Sequence, residues 1–390
     1  MPLGLYISVP FCRTKCTYCN FASGVFSPAV FDKYATCLGA EIEQSRQTSR
    51  QMGGLFDPQV DSIYFGGGTP TLLDVAQLHR VFVSIRQNFD VQREAEITVE
   101  CAPGTLPEPM LNTLAHCGVN RVSLGVQSFV DREAASVGRL HKRDTVFSDI
   151  ARLRDRGISN INVDLIAGLP HQTQESWEDS LTELIASGVS HASVYMLEVD
   201  QDSRLGRELI AGGQKYHAHF VPNEELTADL YERACESLNA AGLQQYEISN
   251  FAFPGFESTH NLKYWTRQPY LGFGMDAHSM LENIETEGAV RFANPESLEP
   301  YLARASRERT FVSGEQAMEE VFFLGLRMNR GIDLHAKSIL GAPGPRFLSA
   351  IDNLIEERLL EKEGGRVRLT ARGRLLSNEV FERFICISTS

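Results

Sequence analysis

The chain has 390 residues, of which 43% are apolar and 22% are charged, a composition that is ordinary for a globular protein and excludes a disordered or fibrous one. Its 37 basic and 50 acidic residues give a net charge of −13, which argues against a general binder of nucleic acids or anionic membranes. No apolar run reaches the roughly 18 residues that a membrane span needs. The N-terminus has no basic segment ahead of its apolar stretch, so the sequence predicts a cytoplasmic protein.

Short β-rich runs alternate with amphipathic helical segments through the first 200 residues. The predicted strands are Leu3–Val9, Ser62–Phe65, Glu96–Glu100, Arg121–Gly125, Asn160–Leu165 and Ala192–Met196. The predicted helices between them include Val75–Asn88, Phe147–Arg156 and Trp177–Ser187. Strands that alternate with helices indicate βαβ units in an α/β protein with a parallel sheet. Polar or glycine-rich sequence follows each strand, as at the active face of a barrel, so we favour a partial (β/α)6 barrel over an open doubly wound sheet.

The rest of the chain predicts two further regions. In the first region the alternation of strands and helices becomes irregular, and a helix is predicted at Glu224–Ala241. In the second region the sequence predicts two helices, a hairpin at Gly364–Gly365 and a final helix, which is the order of a winged helix. Residues 315–390 carry 11 basic and 11 acidic side chains, so a packing role is favoured over DNA binding. The predicted domains are the partial barrel at 1–200, the accessory region at 201–310 and a small winged-helix-like α+β domain at 311–390.

Three of the eight cysteines, Cys12, Cys16 and Cys19, fall within eight residues. Three thiolates so close can hold three irons of a [4Fe–4S] cluster and leave the fourth iron open to a small molecule. Structural zinc and plain packing are the alternatives, but zinc needs four ligands and residues 20–23 offer no further Cys or His. A disulfide framework is not expected in a chain of this length without an export signal.

The cysteine segment opens a series of motifs that resembles the radical S-adenosylmethionine (radical SAM) superfamily. In chain order the motifs are YISVPFCRTKCTYCNF, YFGGGTPTLL, ITVECAPGT, RVSLGVQSF, LIAGLP, YEISNFA, HNLKYW and LTARGRLLSNEVF. Together they are similar to the oxygen-independent coproporphyrinogen III oxidase-like branch and, within it, to the haem chaperones. The resemblance covers nearly the whole chain, and it implies that the protein binds a [4Fe–4S] cluster, S-adenosylmethionine and haem.

The resemblance also implies roles for individual residues. It places the cluster on Cys12, Cys16 and Cys19. It places S-adenosylmethionine against Tyr6, Tyr18, Gly67, Gly68, Thr69, Glu100, Gln127, Arg139 and Asp164. Glycines let a ligand approach the backbone closely, and a guanidinium suits a bidentate grip on the cofactor's carboxylate. A phosphate loop is disfavoured because no Gly-Lys-Ser/Thr follows the glycines. Each residue taken alone is also compatible with a core, rim or ion-pair role.

The HNLKYW motif sets a potential axial ligand, His260, beside Tyr264 and Trp265, a combination that suits a haem site. A packed, hydrogen-bonded core histidine is the alternative. Two histidines that the family usually carries are replaced here by Ser8 and Phe256. These departures leave His260 as the candidate haem ligand.

Two functions of different classes follow from the resemblance. One is a haem chaperone that hands haem to acceptor proteins, such as respiratory or iron-storage proteins, with at most transient membrane association through them. The other is the oxidase, which decarboxylates porphyrinogen propionates by radical chemistry. Phe21 stands where the oxidase pattern has a further cysteine, Cys12 lies near the start whereas the oxidase has a long preceding segment, and HNLKYW is typical of the chaperones. We therefore expect a haem chaperone without coproporphyrinogen oxidase activity, and no nucleic-acid partner.

Overall fold

The structure is a computed structural model and describes residues 1–284, 288–335 and 343–386. Its strands are β1 (Leu3–Val9), β2 (Gly54–Leu55), β3 (Gln59–Gly67), β4 (Asp90–Cys101), β5 (Arg121–Gln127), β6 (Asn160–Ala167), β7 (His191–Met196), β8 (Gln244–Gln245), β9 (Asn250–Ala252), β10 (Tyr270–Phe273), β11 (His278–Asn283), β12 (Ala289–Ala293), β13 (Glu308–Val312), β14 (Ile332–Asp333), β15 (Leu360–Glu363) and β16 (Arg366–Leu369).

The α-helices of the described residues are α1 (Phe31–Glu43), α2 (Ser45–Gln51), α3 (Val75–Asn88), α4 (Glu108–His116), α5 (Asp131–Ser136), α6 (Arg143–Asp155), α7 (Gln174–Ala186), α8 (Arg204–Ile210), α9 (Glu224–Ala240), α10 (Thr259–Trp265), α11 (Leu298–Leu302), α12 (Gly314–Gly325), α13 (Pro345–Glu356), α14 (Ala371–Leu375) and α15 (Ser377–Glu382). Short 3-10 segments lie at Pro28–Val30, Pro70–Leu72 and Lys215–Phe220. No helix among the described residues combines the length and the apolar character that crossing a membrane requires.

Six parallel strands stand side by side in the order β1-β3-β4-β5-β6-β7, which confirms the predicted α/β fold with a partial barrel. Side chains alternate across each strand. In β1, Leu3, Leu5 and Ile7 are fully buried in the main hydrophobic core. The residues between them, such as Tyr6, point to the other face of the sheet, which is the inside of the barrel.

The first turns of the helices explain why some predicted helix starts are correct and others lie several residues too far along the chain. Helix α3 begins and ends where predicted, because Asp74 and Gln77 form a capping box with hydrogen bonds of 2.8 and 3.0 Å. Helix α7 begins three residues before the predicted Trp177, since a capping box at Thr173 starts a polar first turn. Helix α6 likewise begins at Arg143, before the predicted Phe147. Apolar periodicity alone therefore missed the polar first turns.

Strands from residues 201–310 extend the barrel sheet at both edges. Strand β9 pairs antiparallel with β7, whereas β10 pairs parallel with β1 and continues through β11, β12 and β13. The sheet runs from β13 to β8 without closing, so the barrel is partial. The Gly272-Phe273-Gly274 sequence ends β10. A Cβ on Gly272 would lie 2.2 Å from the carbonyl oxygen of His278, so the glycine is needed for this close strand crossing.

The C-terminal part has the predicted two helices, α12 and α13, and the predicted β15–β16 hairpin. Two short helices, α14 and α15, stand where the sequence predicts a single final helix. Strand β14 joins the hairpin to make a three-stranded antiparallel sheet. A separate hydrophobic cluster packs these elements together and includes Phe322, Ile351, Val367 and Phe384. This part of the fold is the small winged-helix-like unit that the sequence predicts.

Candidate functional site

The three clustered cysteines lie in the loop that follows β1, at the carboxyl ends of the parallel strands. Main-chain hydrogen bonds attach this cysteine loop to its surroundings: the Cys12 N–H donates to Gly24 at 2.9 Å and the Thr17 N–H donates to Val137 at 3.1 Å. The Thr69 N–H also donates to the Phe11 carbonyl at 2.7 Å. All three thiols are free, with Cys16 buried and the other two half-buried. The loop is therefore held in place by the fold itself.

At least two of the three clustered thiol sulfurs lie more than 4.8 Å apart. Among the described residues, the side chains with ligand atoms all within 4.8 Å of one another are Glu315, Glu319 and Cys386, and the cysteine loop supplies no such group. Four sulfurs around one zinc ion at about 2.3 Å would lie roughly 3.8 Å apart. Burial is the main cause that raises the pKa of Cys12, and the nearby Cys19 and Cys16 add to it.

The glycine-rich loop after β3 packs directly on the cysteine loop. A Cβ on Gly68 would lie only 2.7 Å from the Phe11 carbonyl oxygen and 2.8 Å from that of Val9. Gly67 has a φ of +96° and lies beside Tyr6, whose hydroxyl would be 3.4 Å from an added Cβ. The absence of a side chain at Gly68 thus has a structural reason, because it lets the two loops meet.

Glu100 ends β4 inside the barrel and accepts a hydrogen bond from the Tyr64 hydroxyl at 2.8 Å. Burial raises the pKa of this carboxyl to about 7; the Tyr64 hydrogen bond opposes the rise, Asp164 adds to it, and the Gly67 amide and Arg121 oppose it. Glu100 is therefore divided between its acid and carboxylate forms near neutral pH.

Gln127 and Arg139 each present an unpaired polar atom to this face. Gln127 has a φ of +71° where the pairing of β5 and β6 shifts register, and its Oε1 has no hydrogen-bond partner among the described residues. The Nε of Arg139 is likewise without a partner in that part of the chain. Burial lowers the pKa of Arg139, but the nearby Tyr18, Cys16 and Asp164 outweigh it and raise the pKa overall. Arg139 thus lies next to the cysteine loop, close to Tyr18 within that loop.

Asp164 lies on β6, within a polar network inside the barrel. Its carboxylate accepts hydrogen bonds from the Asn162 amide at 2.7 Å and from the Ser123 hydroxyl at 3.2 Å. Burial raises the pKa of Asp164, and hydrogen bonds from Ser193, Asn162 and Ser123 oppose the rise. These contacts fix the carboxylate inside the barrel, close enough to Glu100 to help raise its pKa.

The sequence reasoning missed two residues that line this space, Tyr64 and Arg121. Arg121 is only 2% exposed, and its Nε has no hydrogen-bond partner among the described residues. Its register partner on β4 is Thr98, whose hydroxyl is also buried without a partner there. The alternation of side chains along β5 could have identified Arg121 from the sequence. Arg121 is an even number of positions from Ser123 and Gln127, so it faces the inside of the barrel as they do.

The HNLKYW motif forms α10, which lies at the opposite end of the barrel strands. The Glu96 carboxylate accepts hydrogen bonds from the N–H groups of Thr259 and His260 at 3.0 and 3.1 Å. Lys263 is fully buried and contacts Asp61 at 2.7 Å and the Pro2 carbonyl at 2.9 Å. These partners belong to the amino ends of the strands, about 16 Å along β3 from the glycine-rich loop.

His260 is buried and both of its ring nitrogens are engaged. Nδ1 lies 3.0 Å from the Ser62 hydroxyl, and Nε2 lies 3.0 Å from the Tyr264 hydroxyl. Burial, with smaller contributions from Lys263 and Arg121, lowers the pKa of His260 to about 3, so the ring is neutral. A haem iron would have to displace one of the two hydroxyls, and haem ligation by His260 stays a prediction.

Most of the predicted cofactor residues thus gather at one end of the barrel. His260 lies deeper inside it, with its ring 5.4 Å from that of Tyr64 and 6.5 Å from that of Tyr6. Tyr6, Gly67, Glu100, Gln127 and Asp164 line the inside. Tyr18 belongs to the cysteine loop, and Arg139 borders it. This is the fold and the cysteine loop of the radical SAM superfamily, whose family model matches residues 6–184. The model for the HemN C-terminal domain matches residues 312–376.

Relatives that match almost the whole chain identify its family within the superfamily. The chain is 34% identical to the haem chaperone HemW of Bacillus subtilis, over 97% of this chain and 98% of that protein. It is 32% identical to HemW of Lactococcus lactis, over 98% of this chain and 97% of that protein. The chain therefore belongs to the HemW family within the radical SAM superfamily. Coproporphyrinogen III oxidase HemN of Escherichia coli shares its fold, with a TM-score of 0.80 and 24% identity over 98% of this chain and 90% of that one.

Proposed function

We propose that this protein is a haem chaperone that carries a [4Fe–4S] cluster and S-adenosylmethionine at the mouth of the barrel and hands haem to acceptor proteins. The observation that carries the proposal is the match to proteins named as haem chaperones along nearly the entire chain, cysteine loop and C-terminal part included. Respiratory and iron-storage proteins are the classes of acceptor that we propose.

The cysteine loop fits a cluster better than a single metal ion. Cys12, Cys16 and Cys19 are free thiols on a loop that the fold already holds, and they are spaced more widely than the ligands of one ion. When bound, the cluster would supply an open iron site and one-electron redox chemistry. The residues of this chain would bind it, shield one side of it with the glycine-rich loop, and place Tyr18 and Arg139 beside it.

The inside of the barrel fits S-adenosylmethionine through its unpaired polar atoms. Buried polar groups are normally paired, so the lone Oε1 of Gln127 and Nε of Arg139 support a bound polar ligand. Arg139 would hold the cofactor's carboxylate, while Asp164 would accept from ribose hydroxyls and Glu100 from a further donor. Gly67, Gly68 and Thr69 would present the backbone, and Tyr6 would close the site from β1.

Phe21 supports the chaperone over the oxidase. The oxidase pattern has a cysteine at this position, and here the side chain is an exposed aromatic, 65% accessible, two residues after Cys19. An exposed aromatic ring beside the cluster is suited to a flat apolar ligand that must later leave. It provides no thiol for chemistry on a porphyrinogen.

Anaerobic reconstitution tests the cluster. The parent protein should take up four irons with the brown absorption of a [4Fe–4S] cluster, and Cys16→Ala should lose it. Cys235→Ala is the matched control, since Cys235 is a half-buried cysteine far from the loop in sequence, and it should keep the parent's iron content. Uptake of zinc alone by the parent, or full iron content in Cys16→Ala, would contradict the assignment.

Parallel assays on the reconstituted protein test the function. We expect stoichiometric haem binding, transfer of that haem to an apo-cytochrome, and no decarboxylation of coproporphyrinogen when S-adenosylmethionine and reductant are present. Addition of S-adenosylmethionine should change the EPR spectrum of the reduced cluster, and Arg139→Ala should weaken that change. Turnover of coproporphyrinogen would promote the oxidase instead.

A further inference from the structure

Arginine side chains from three parts of the chain lie at the joint between α10 and α12. Arg267 follows α10, Arg291 lies on β12 and Arg327 follows α12. Arg267 and Arg291 both contact the Glu320 carboxylate, at 2.5 and 3.0 Å. The Arg327 guanidinium lies 4.3 Å from the centroid of the Trp265 ring, at the end of α10. We call Arg267, Arg291 and Arg327 the arginine group.

The guanidinium groups at this joint outnumber the carboxylates that pair with them. Glu320 is shared by two of the three arginines, and Glu247 lies 3.6 Å from Arg327. The side chains of Glu320 and Glu247 are 6% and 0% exposed, so both carboxylates are enclosed. One positive charge is therefore in excess here, although the whole chain carries a net charge of −13. Charge removed from water is costly without a counter-charge, so this excess favours an anionic ligand.

Among the described residues, four buried donor atoms of this joint have no acceptor. They are the Nε atoms of Arg291 and Arg327, the Nη2 of Arg267 and the indole Nε1 of Trp265. Guanidinium and indole N–H groups can only donate. Buried polar groups are normally paired, so these donors indicate a ligand that brings acceptors. A carboxylate fits, because its two oxygens match the fork of a guanidinium.

Arg267 occupies a backbone position that favours glycine. Its φ is +55°, in the left-handed region. The Gln268 N–H donates to the Lys263 carbonyl at 2.8 Å, and the Arg267 N–H donates to the Tyr264 carbonyl at 3.1 Å. These two bonds form a Schellman cap on α10, in which the left-handed residue is usually glycine. An arginine that is kept there at a cost in backbone energy fits a side chain with a binding role.

A half-buried aromatic surface lies beside the arginine group. The ring centroids of Tyr264 and Trp265 are 6.4 Å apart, and both side chains are half-buried. The Tyr264 ring also lies 5.1 Å from that of His260, the candidate iron ligand. Arg267 follows His260 by seven residues, which is roughly 10 Å at a helical rise of about 1.5 Å per residue. One flat ligand can therefore reach both the histidine and the arginine group.

We propose that the arginine group binds a propionate carboxylate of haem, with the haem ring on Tyr264 and Trp265. This rests on the proposed function and assigns the residues that hold the charged edge of the cargo beside the α10 motif. One carboxylate balances the excess positive charge and accepts from the donors that lack a partner. The arginines keep their ion pairs with Glu320 and Glu247 throughout, so the site is already formed before haem arrives and persists after it leaves.

S-adenosylmethionine is the other carboxylate-bearing ligand of the proposed function. Its proposed carboxylate partner, Arg139, lies beside the cysteine loop, at the opposite end of the barrel strands from α10. The cofactor also carries a sulfonium and an ammonium group, which an excess of positive charge disfavours. Haem instead combines anionic propionates with a flat ring, which suits guanidinium groups next to aromatic side chains.

Titration of the full-length protein with haem and with haem dimethyl ester tests the site. The ester keeps the iron and the ring but has no free carboxylate. The parent should bind haem at least tenfold more tightly than the ester, and Arg267→Gln should bind the two about equally. Glu320 keeps Arg291 as a partner in this variant. Arg346→Gln is the matched control and should keep the tenfold preference, because Arg346 also pairs with a buried glutamate and lies 4.2 Å from an aromatic ring centroid.

A second variant tests the other side of the joint. Arg327→Gln is combined with Glu247→Gln, so that no buried carboxylate is left without its partner. The double variant should also lose the preference for haem over the ester. Circular dichroism and cluster iron content show that each variant is folded.

The EPR spectrum of the reduced cluster separates the two carboxylate ligands. Arg267→Gln should keep the parent's response to S-adenosylmethionine, and loss of that response would overturn the proposal. A tenfold preference for haem retained in Arg267→Gln and in the double variant would also overturn it, as would equal binding of haem and ester by the parent. Each of these results leaves the chaperone function standing. A parent that binds neither haem nor its ester would overturn the proposed function itself.

Discussion

Replacement of Glu100 by glutamine should stabilise the cofactor-free protein at alkaline pH and much less at acidic pH. Burial raises the pKa of Glu100 from 4.5 to about 7. The folded state therefore holds a proton between these pH values that the unfolded state has already released, and stability from this group falls as pH rises through that window. Glutamine keeps the shape and an acceptor oxygen but cannot ionise, so it removes this loss.

The magnitude follows from the shift. A shift of 7 − 4.5 = 2.5 pKa units amounts to about 3 kcal/mol well above pH 7, at about 1.4 kcal/mol per unit. Less than about 1 kcal/mol of it is present at pH 5, so the effect of Glu100→Gln on the free energy of unfolding should grow by roughly 2 to 3 kcal/mol between pH 5 and pH 8.5. The difference between the two pH values cancels whatever the amide costs in packing.

Urea denaturation followed by circular dichroism at both pH values measures the effect. Glu94→Gln is the matched control, because its side chain lies on the same strand and is 92% exposed. It should change stability equally at the two pH values. If Glu100→Gln also shifts stability by the same amount at pH 5 and pH 8.5, the carboxyl titrates as an ordinary glutamate, and its proposed dual protonation at the barrel mouth is wrong.

Two further predictions concern the ends of the barrel. Lys263→Ala should destabilise the protein by about 3 kcal/mol or more, because it leaves Asp61 without its ion-pair partner and opens a buried cavity. Lys263→Met fills the cavity and should recover part of this loss. Thermal unfolding measures both variants, and equal losses of stability would contradict the reasoning. Gly68→Ala should lower the iron content of the cluster, because its methyl group would meet the Phe11 carbonyl and displace the cysteine loop. Gly314→Ala should keep the parent's iron content, because no atom lies within 4 Å of an added Cβ there. Iron analysis after reconstitution measures both.

The sequence was sufficient for the elements whose pattern is local. Strand β1 and helix α3 have the predicted bounds, because an alternating apolar run and a capping residue are both visible in a short window. Strands β10 to β13 were not predicted, since each has only four to six residues and depends on pairing with its neighbours, beginning with β1, rather than on a pattern of its own. The sheet is therefore wider than the predicted barrel.

The site was predictable only through motifs that lie beside each strand end. Arg121 was not recognised because an arginine at the start of a strand usually reaches solvent, and only its position inside the partial barrel makes it buried. His260 shows the converse, because its motif was visible while its two bonded nitrogens were not.

Helix α10 makes the barrel and the C-terminal unit depend on each other. Lys263 binds the first residues of the chain, while the Trp265 ring carries the Arg327 guanidinium at 4.3 Å and Arg267 pairs with Glu320 at 2.5 Å. Loss of the C-terminal unit would leave the fully buried carboxylate of Glu247 without Arg327, its ion-pair partner at 3.6 Å. The two parts should therefore unfold as one cooperative unit. Amide protons at the base of the barrel should then exchange no more slowly than the contacts between α10 and the C-terminal unit allow.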